Sequence, residues 1–160
     1  MSDVLTATAF HEAGHAVIGF LFETRFEPIL LDDIEGKRVP GPTPFYVTQA
    51  MQNLRRSEYR QAIREDLIVA MSGAIAEERF TGQLNEEAAR DDFHFITEAL
   101  WVMYAEQSDM HSADLWREAR RLVNANWLVI ERVAAHLSEH RSLSRRELDT
   151  LLMPRSMLSG

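Results

Sequence analysis

Cysteine is absent from all 160 residues, which excludes disulfides, thiolate zinc fingers and cysteine nucleophiles together. Any metal held by this chain is bound by histidine and carboxylate. Glycine and proline are scarce, with 7 and 5 residues. Four of the prolines (Pro28, Pro40, Pro42, Pro44), with Gly36 and Gly41, crowd between Arg25 and Asn53, so the remainder is open to long helices. No run of about 18 apolar residues occurs, and the start, Met1-Ser2-Asp3-Val4-Leu5, lacks a basic stretch ahead of an apolar core. Both features predict a soluble, cytoplasmic protein without membrane contact. Positive charge is also short: 17 Lys and Arg against 25 Asp and Glu give a formal charge of −8. The basic pairs Arg55-Arg56, Arg120-Arg121 and Arg145-Arg146 are dispersed rather than gathered into a stripe, so nucleic acid is not an expected partner. With no repeat, low-complexity tract or linker, residues 1–160 read as one domain that buries roughly two-thirds of its unfolded surface. Residues 1–5 and 154–160 are expected to fray.

What is present is helical periodicity. A first helix is expected from Thr6 to Thr8 onward, ending around Glu23. Ile29-Leu30-Leu31 and Phe45-Tyr46-Val47-Thr48 are strand-like runs flanking the Pro/Gly loop, and their economical arrangement is a small antiparallel pair between the first two helices. From Ser57, Ile63, Leu67, Ala70, Met71, Ala74 and Ile75 mark one face of a second helix, which Gly82 is placed to stop as a left-handed residue. A third helix should start between Asn85 and Asp92, where Glu86, Glu87, Asp91 and Asp92 favour the positive end of its dipole. It buries Phe93, Ile96, Leu100, Met103 and Tyr104. Ser112 is the expected cap of a long fourth helix reaching past Leu137. Ser144-Arg145-Arg146-Glu147 is a capping box that opens a short fifth, stopped before Pro154. The fold class is therefore mainly α, with about five helices and one two-stranded β element.

The first helix carries His11-Glu12-Ala13-Gly14-His15. Residues four apart share a helix face, so His11 and His15 can aim two imidazoles at one point. Zinc accepts neutral imidazole, and a catalytic zinc keeps three protein ligands and one open position. Glu12 is placed to act as the base on a water at that position. By chance, His-Glu-x-x-His arises in roughly one chain of this length in a few hundred. Gly14 and Gly19 each cost about 1 kcal/mol relative to Ala inside a helix, which calls for close approach of another element. Candidates for the third ligand are His94, His111, His136 and His140, the Glu77-Glu78 pair, and the Asp91-Asp92 pair. The residue types alone leave that choice open.

In order along the chain, His11-Glu12-Ala13-Gly14-His15, Ser72-Gly73-Ala74-Ile75-Ala76-Glu77-Glu78 and Ala88-Ala89-Arg90-Asp91-Asp92-Phe93-His94-Phe95-Ile96-Thr97 resemble the peptidase domain of the FtsH-type ATP-dependent zinc metalloproteases. That family carries His-Glu-Ala-Gly-His, then Gly-Gly-x-x-Ala-Glu-Glu, then Thr-Gly-Ala-x-Asn-Asp-Leu-x-x-Ala-Thr. The likeness covers about residues 5 to 138. It implies a helical, zincin-like peptidase domain that binds Zn2+ through His11, His15 and Asp92, with Glu12 catalytic and Glu77 supporting a ligand from behind. A protein or peptide substrate, a separate ATPase or adaptor, and homo-oligomers are the partners it implies. The chain departs from the pattern in several places, the Pro-rich loop among them. It has no Gly-x-x-x-x-Gly-Lys-Ser/Thr stretch for an ATPase motor, and Asn85-Glu86-Glu87-Ala88 stands where the family has Thr-Gly. The expected activity is hydrolysis of peptide bonds in flexible or unfolded segments. Its rival is a non-catalytic metal-binding or protein-interaction module derived from such a peptidase, and a variant of the first reading makes Glu77 or Glu78 the third ligand.

Overall fold

A computed structural model describes residues 3–24, 28–31 and 57–153. Its central element is α1 (Asp3–Leu21), which starts a turn before the expected Thr6 to Thr8, with Leu5 already in the core. Leu5, Ala9, Phe10, Ala13, Ala16, Val17 and Ile18 are buried, and so are His11, Glu12 and His15. A helix buried on nearly every side has to be wrapped by others. It is covered mainly by α2 (Ser57–Thr81) and by α5 (Trp127–His140).

Gly14 sets how closely α2 approaches. A Cβ there would lie 2.5 Å from the Ser72 carbonyl oxygen and 2.9 Å from Ala76 Cβ, so only hydrogen fits at the crossing. This is the close approach that a glycine inside a helix called for. The whole expected stripe of α2, from Ile63 to Ile75, is buried. Gly82 ends the helix at φ +82°, in the left-handed region that glycine enters without steric cost.

Next comes α3 (Arg90–Tyr104), which buries Ile96, Ala99 and Leu100 and carries Asp91 and Asp92 in its first turn. A 3-10 turn, Ala105–Gln107, joins it to α4 (Ser108–Ala125). The expected cap at Ser112 is therefore corrected: the chain re-enters a helix immediately after that turn, and the Ser108 hydroxyl donates to the Leu100 carbonyl at 3.2 Å. The single long fourth helix is corrected as well, because it is two, α4 and α5. At Asn126 the backbone leaves helical values (φ −110°, ψ 18°), and the side-chain amide donates to the Leu122 carbonyl at 2.8 Å. Beyond the break Trp127 stacks on Phe10, with ring centroids 5.3 Å apart, and Arg79 lies over its indole at 4.3 Å.

The two-stranded element exists, with a partner from far along the chain. β1 (Ile29–Leu30) pairs antiparallel with β2 (Ser142–Leu143), Ile29 opposite Leu143 and Leu30 opposite Ser142. The expected partner, Phe45–Thr48, lies outside the described residues, as does the Pro/Gly loop. Leu143 is fully buried, so this pairing ties the end of α5 under the exit of α1. The last element, α6 (Arg145–Leu152), opens on the expected capping box: the Glu147 N–H donates to Ser144 Oγ at 3.2 Å and the Ser144 N–H to Glu147 Oε2 at 2.7 Å. Among the described residues no helix is long and apolar enough to cross a membrane.

Candidate metal centre

Each imidazole of the α1 motif is held by its far nitrogen. His11 Nδ1–H donates to Glu77 Oε2 at 2.7 Å, and His15 Nδ1–H donates to the Val69 carbonyl at 2.8 Å. A neutral imidazole has a single N–H, so both Nε2 atoms are left presenting lone pairs. They lie 3.0 Å apart. Asp92 Oδ2 sits 2.9 Å from His11 Nε2 and 3.3 Å from His15 Nε2. Three electron-rich atoms thus converge in a triangle, an arrangement that repels itself unless a cation lies among them. Tetrahedral zinc with bonds of about 2.0–2.1 Å needs ligand atoms about 3.3–3.4 Å apart, close to the observed edges. Two imidazole nitrogens and one carboxylate oxygen are also a donor set that zinc accepts. The residues present fit the metal.

The surrounding structure holds this triangle in place. Gly73 on α2 faces both rings; a Cβ there would be 2.4 Å from His15 Nε2 and 2.5 Å from His11 Cδ2. Val69, one turn earlier on α2, supplies the carbonyl for His15. Glu77, one turn later and 3% exposed, orients His11 and receives Asn85 Nδ2–H on its other oxygen at 3.0 Å. Burial opposes ionisation of Asp92, and positive charge beside its Oδ2 outweighs that and keeps the carboxyl well below the usual carboxylate range, the place a metal cation takes when both imidazoles are neutral. Glu12 is 1% exposed and, one residue after His11, stands about 60° round the helix from His15. A cleft of about 310 Å3 opens beside His11 and Glu77, rimmed by Thr8, Glu87, Arg90 and Asp91.

The structure brings His11, His15 and Asp92 together, and among the described residues this is the group able to hold a metal. Glu77 touches the far nitrogen of His11, which is a supporting position. Glu78 faces away to Arg120, with an ion pair of 3.0 Å. Asp91 lines the cleft. The other histidines have different neighbours: His94 meets Glu98 at 3.2 Å, His111 stacks on Tyr104, and His136 stands 3.7 Å from Glu147. Sequence reasoning assigned no role to Gly73 or Val69. The helix cost that flagged Gly14 and Gly19 applies equally to Gly73; a backbone carbonyl such as that of Val69 leaves no side-chain signal.

Aligned with known proteins, the chain is 35% identical over 94 residues to the ATP-dependent zinc metalloprotease FtsH 2 of Methylacidiphilum infernorum, covering 59% of this chain and 13% of that one. It is 28% identical over 179 positions to the ATP-dependent zinc metalloprotease FtsH of Neorickettsia risticii, covering 91% of this chain and 28% of the relative. It is 32% identical over 105 residues to FtsH 3 of Sorangium cellulosum, covering 66% and 17%. This chain contains an FtsH-related region. The FtsH-related stretch spans only between 13% and 28% of those relatives' own length, and the relationship is to zinc metalloproteases. No family model matches the chain.

Proposed function

We propose that this protein is a zinc-dependent metallopeptidase that hydrolyses peptide bonds in flexible or unfolded protein segments. The observation that carries the reading is the convergence of His11 Nε2, His15 Nε2 and Asp92 Oδ2 within 3.3 Å while both Nδ1 protons are engaged elsewhere. In this reading those three atoms hold the metal. Zinc bound there supplies Lewis-acid polarisation of the scissile carbonyl and brings the pKa of water toward about 7. The Glu12 carboxylate takes the proton of the attacking water and passes it to the leaving amine nitrogen as the C–N bond breaks. Glu77 and the Val69 carbonyl accept the two Nδ1 protons, which fixes the tautomer that presents Nε2 to the metal and stops the rings rotating.

Peptides would enter by the cleft beside His11. The relatives are ATP-dependent and the similarity spans only part of them, so delivery of folded substrates calls for an ATPase or adaptor outside the matched segment. The test is zinc content and casein cleavage, measured side by side on the wild type and on Glu12→Gln. The variant should keep its zinc and lose cleavage. Undiminished cleavage by Glu12→Gln would end the assignment of Glu12, and a wild type that binds stoichiometric zinc without cleaving any unstructured protein would favour a binding module instead.

A further inference from the structure

Asn85 stands outside the motifs and on neither of the helices that carry the metal-facing atoms, yet it touches both halves of the site. Its Nδ2–H donates to Glu77 Oε1 at 3.0 Å, and its Oδ1 accepts the Ala88 N–H at 3.1 Å. The Ala89 N–H adds a bond to the Asn85 carbonyl at 3.1 Å. These contacts assign the amide orientation: a backbone N–H needs the oxygen, which leaves the nitrogen for the carboxylate. Glu77 is thereby gripped at both ends, Oε2 by His11 Nδ1–H and Oε1 by Asn85. The same side chain closes the turn 86–89 that delivers α3, a helix whose own N-terminus has no side-chain cap. Asp92 follows that turn by three residues.

We infer that Asn85 is a positioning residue for the metal centre, acting through Glu77 on His11 and through the 86–89 turn on Asp92. This role rests on the zinc reading of the site. Asn85 sets the rotation of the Glu77 carboxylate, hence the tautomer and aim of His11, and sets where α3 begins relative to α1. Glu77, eight residues before Asn85, and Ala88, three residues after it, are locked together by one amide that is both donor and acceptor. Neither a carboxylate nor a hydrocarbon at position 85 does both.

The two arms separate by substitution. Asn85→Asp keeps an oxygen for the Ala88 N–H but turns a second oxygen toward Glu77, replacing attraction by repulsion. Asn85→Ala removes both arms. Zinc affinity is measured by competition with a chromogenic chelator, and the ligand field by the visible spectrum of the Co2+-loaded protein, both on the full chain. Loss of an outer partner of a ligand costs about 10–100-fold in metal affinity, so Asn85→Asp is expected to bind zinc about tenfold more weakly, with an altered Co2+ spectrum. The double variant Glu77→Gln/Asn85→Asp reverses the polarity of the pair. In it the introduced amide donates to the introduced carboxylate while the amide oxygen still accepts from His11, so the double variant should bind zinc at least as tightly as Asn85→Asp alone. Wild-type affinity and spectrum in Asn85→Asp, with a defect only in Asn85→Ala, would reduce Asn85 to a turn cap and overturn the role. Additive losses in the double variant would overturn it too. Failure of the parent reading looks different, because then the wild type itself takes up no zinc.

Discussion

Replacing Gly73 by alanine separates helix stability from site geometry, because the two respond with opposite sign. Alanine in a helix interior is favoured over glycine by about 1 kcal/mol, so propensity alone predicts a more stable protein. The added Cβ, however, would sit 2.4 Å from His15 Nε2 and 2.5 Å from both His11 Cδ2 and His15 Cε1. Non-bonded carbon contacts settle near about 3.5 Å or beyond, so the rings or α2 must give way by about 1 Å. Overpacking of that kind costs about 1–3 kcal/mol, and the metal-free protein should lose roughly 0–2 kcal/mol net. Zinc affinity should fall further. Bond lengths at such a site hold within about 0.2 Å, and disturbing the support of a metal ligand costs about 10–100-fold in affinity, or about 1.4–2.8 kcal/mol. The assay is chelator competition for zinc together with thermal melts in the presence and absence of chelator. Gly82→Ala is the control: with φ +82° and no atom within 4 Å of its built Cβ, it should cost about 1–2 kcal/mol of backbone strain and leave zinc affinity unchanged. A Gly73→Ala protein that binds zinc as tightly as the wild type would refute the account of α2 as the back wall of the site.

Removal of the metal should destabilise the fold, since the triangle joins α1 to α3. At a free zinc concentration a thousand times its dissociation constant the stabilisation is about 4 kcal/mol, so excess chelator should lower the melting temperature by roughly 10 °C; an unchanged melt would count against a structural zinc load. Asp66 should make stability pH-dependent. It is 4% exposed, its Oδ2 has no hydrogen-bond partner among the described residues, and burial, then the adjacent Glu65, push its carboxyl up to about 7. Unfolded, it titrates near pH 4. The folded state therefore binds the extra proton between about pH 4 and 7, and the Asp66 contribution falls as pH rises through that window, by roughly 4 kcal/mol in all. Asp66→Asn should remove this slope and be the more stable protein at pH 8; parallel urea-denaturation curves for both proteins across pH 5 to 8 would show the group carries no such load.

The parts of the fold that are legible in the sequence are those governed by local rules. The α2 stripe, the Gly82 stop and the Ser144–Glu147 capping box each depend on residues within a few turns of one another, and each stands where the pattern places it. The break at Asn126 is not legible. Apolar residues keep a helical period through Leu122, Val123, Val129, Ile130 and Val133, and one asparagine in that run costs little by propensity. The break is decided by tertiary contact, through Trp127 on Phe10. The partner of β1 is hidden for a related reason. A strand of two residues contains too little alternation to specify register, and its actual partner at Ser142–Leu143 lies at the far end of the chain, chosen by burial of Leu143.

The candidate site divides along the same line. His11 and His15 share a helix, so spacing alone points both rings one way, but the third corner depends on where another helix starts. Asp91 and Asp92 are indistinguishable by residue type, and resemblance rather than physics favours Asp92. Geometry separates them, because successive helix residues turn by about 100°: Asp92 meets the two Nε2 atoms while Asp91 faces the cleft. A shift of the α3 start by a single residue would exchange them. In the zinc reading the chemistry therefore depends on a loop, 83–89, that supplies none of the three metal-facing atoms, and on two glycines, Gly14 and Gly73, at which the chain gives up side chains so that α2 can pass within contact of α1. Folding and the aim of the two imidazoles are one constraint at this crossing: any side chain that spreads α1 from α2 also pulls the Val69 carbonyl and the Glu77 carboxylate away from the imidazoles they orient.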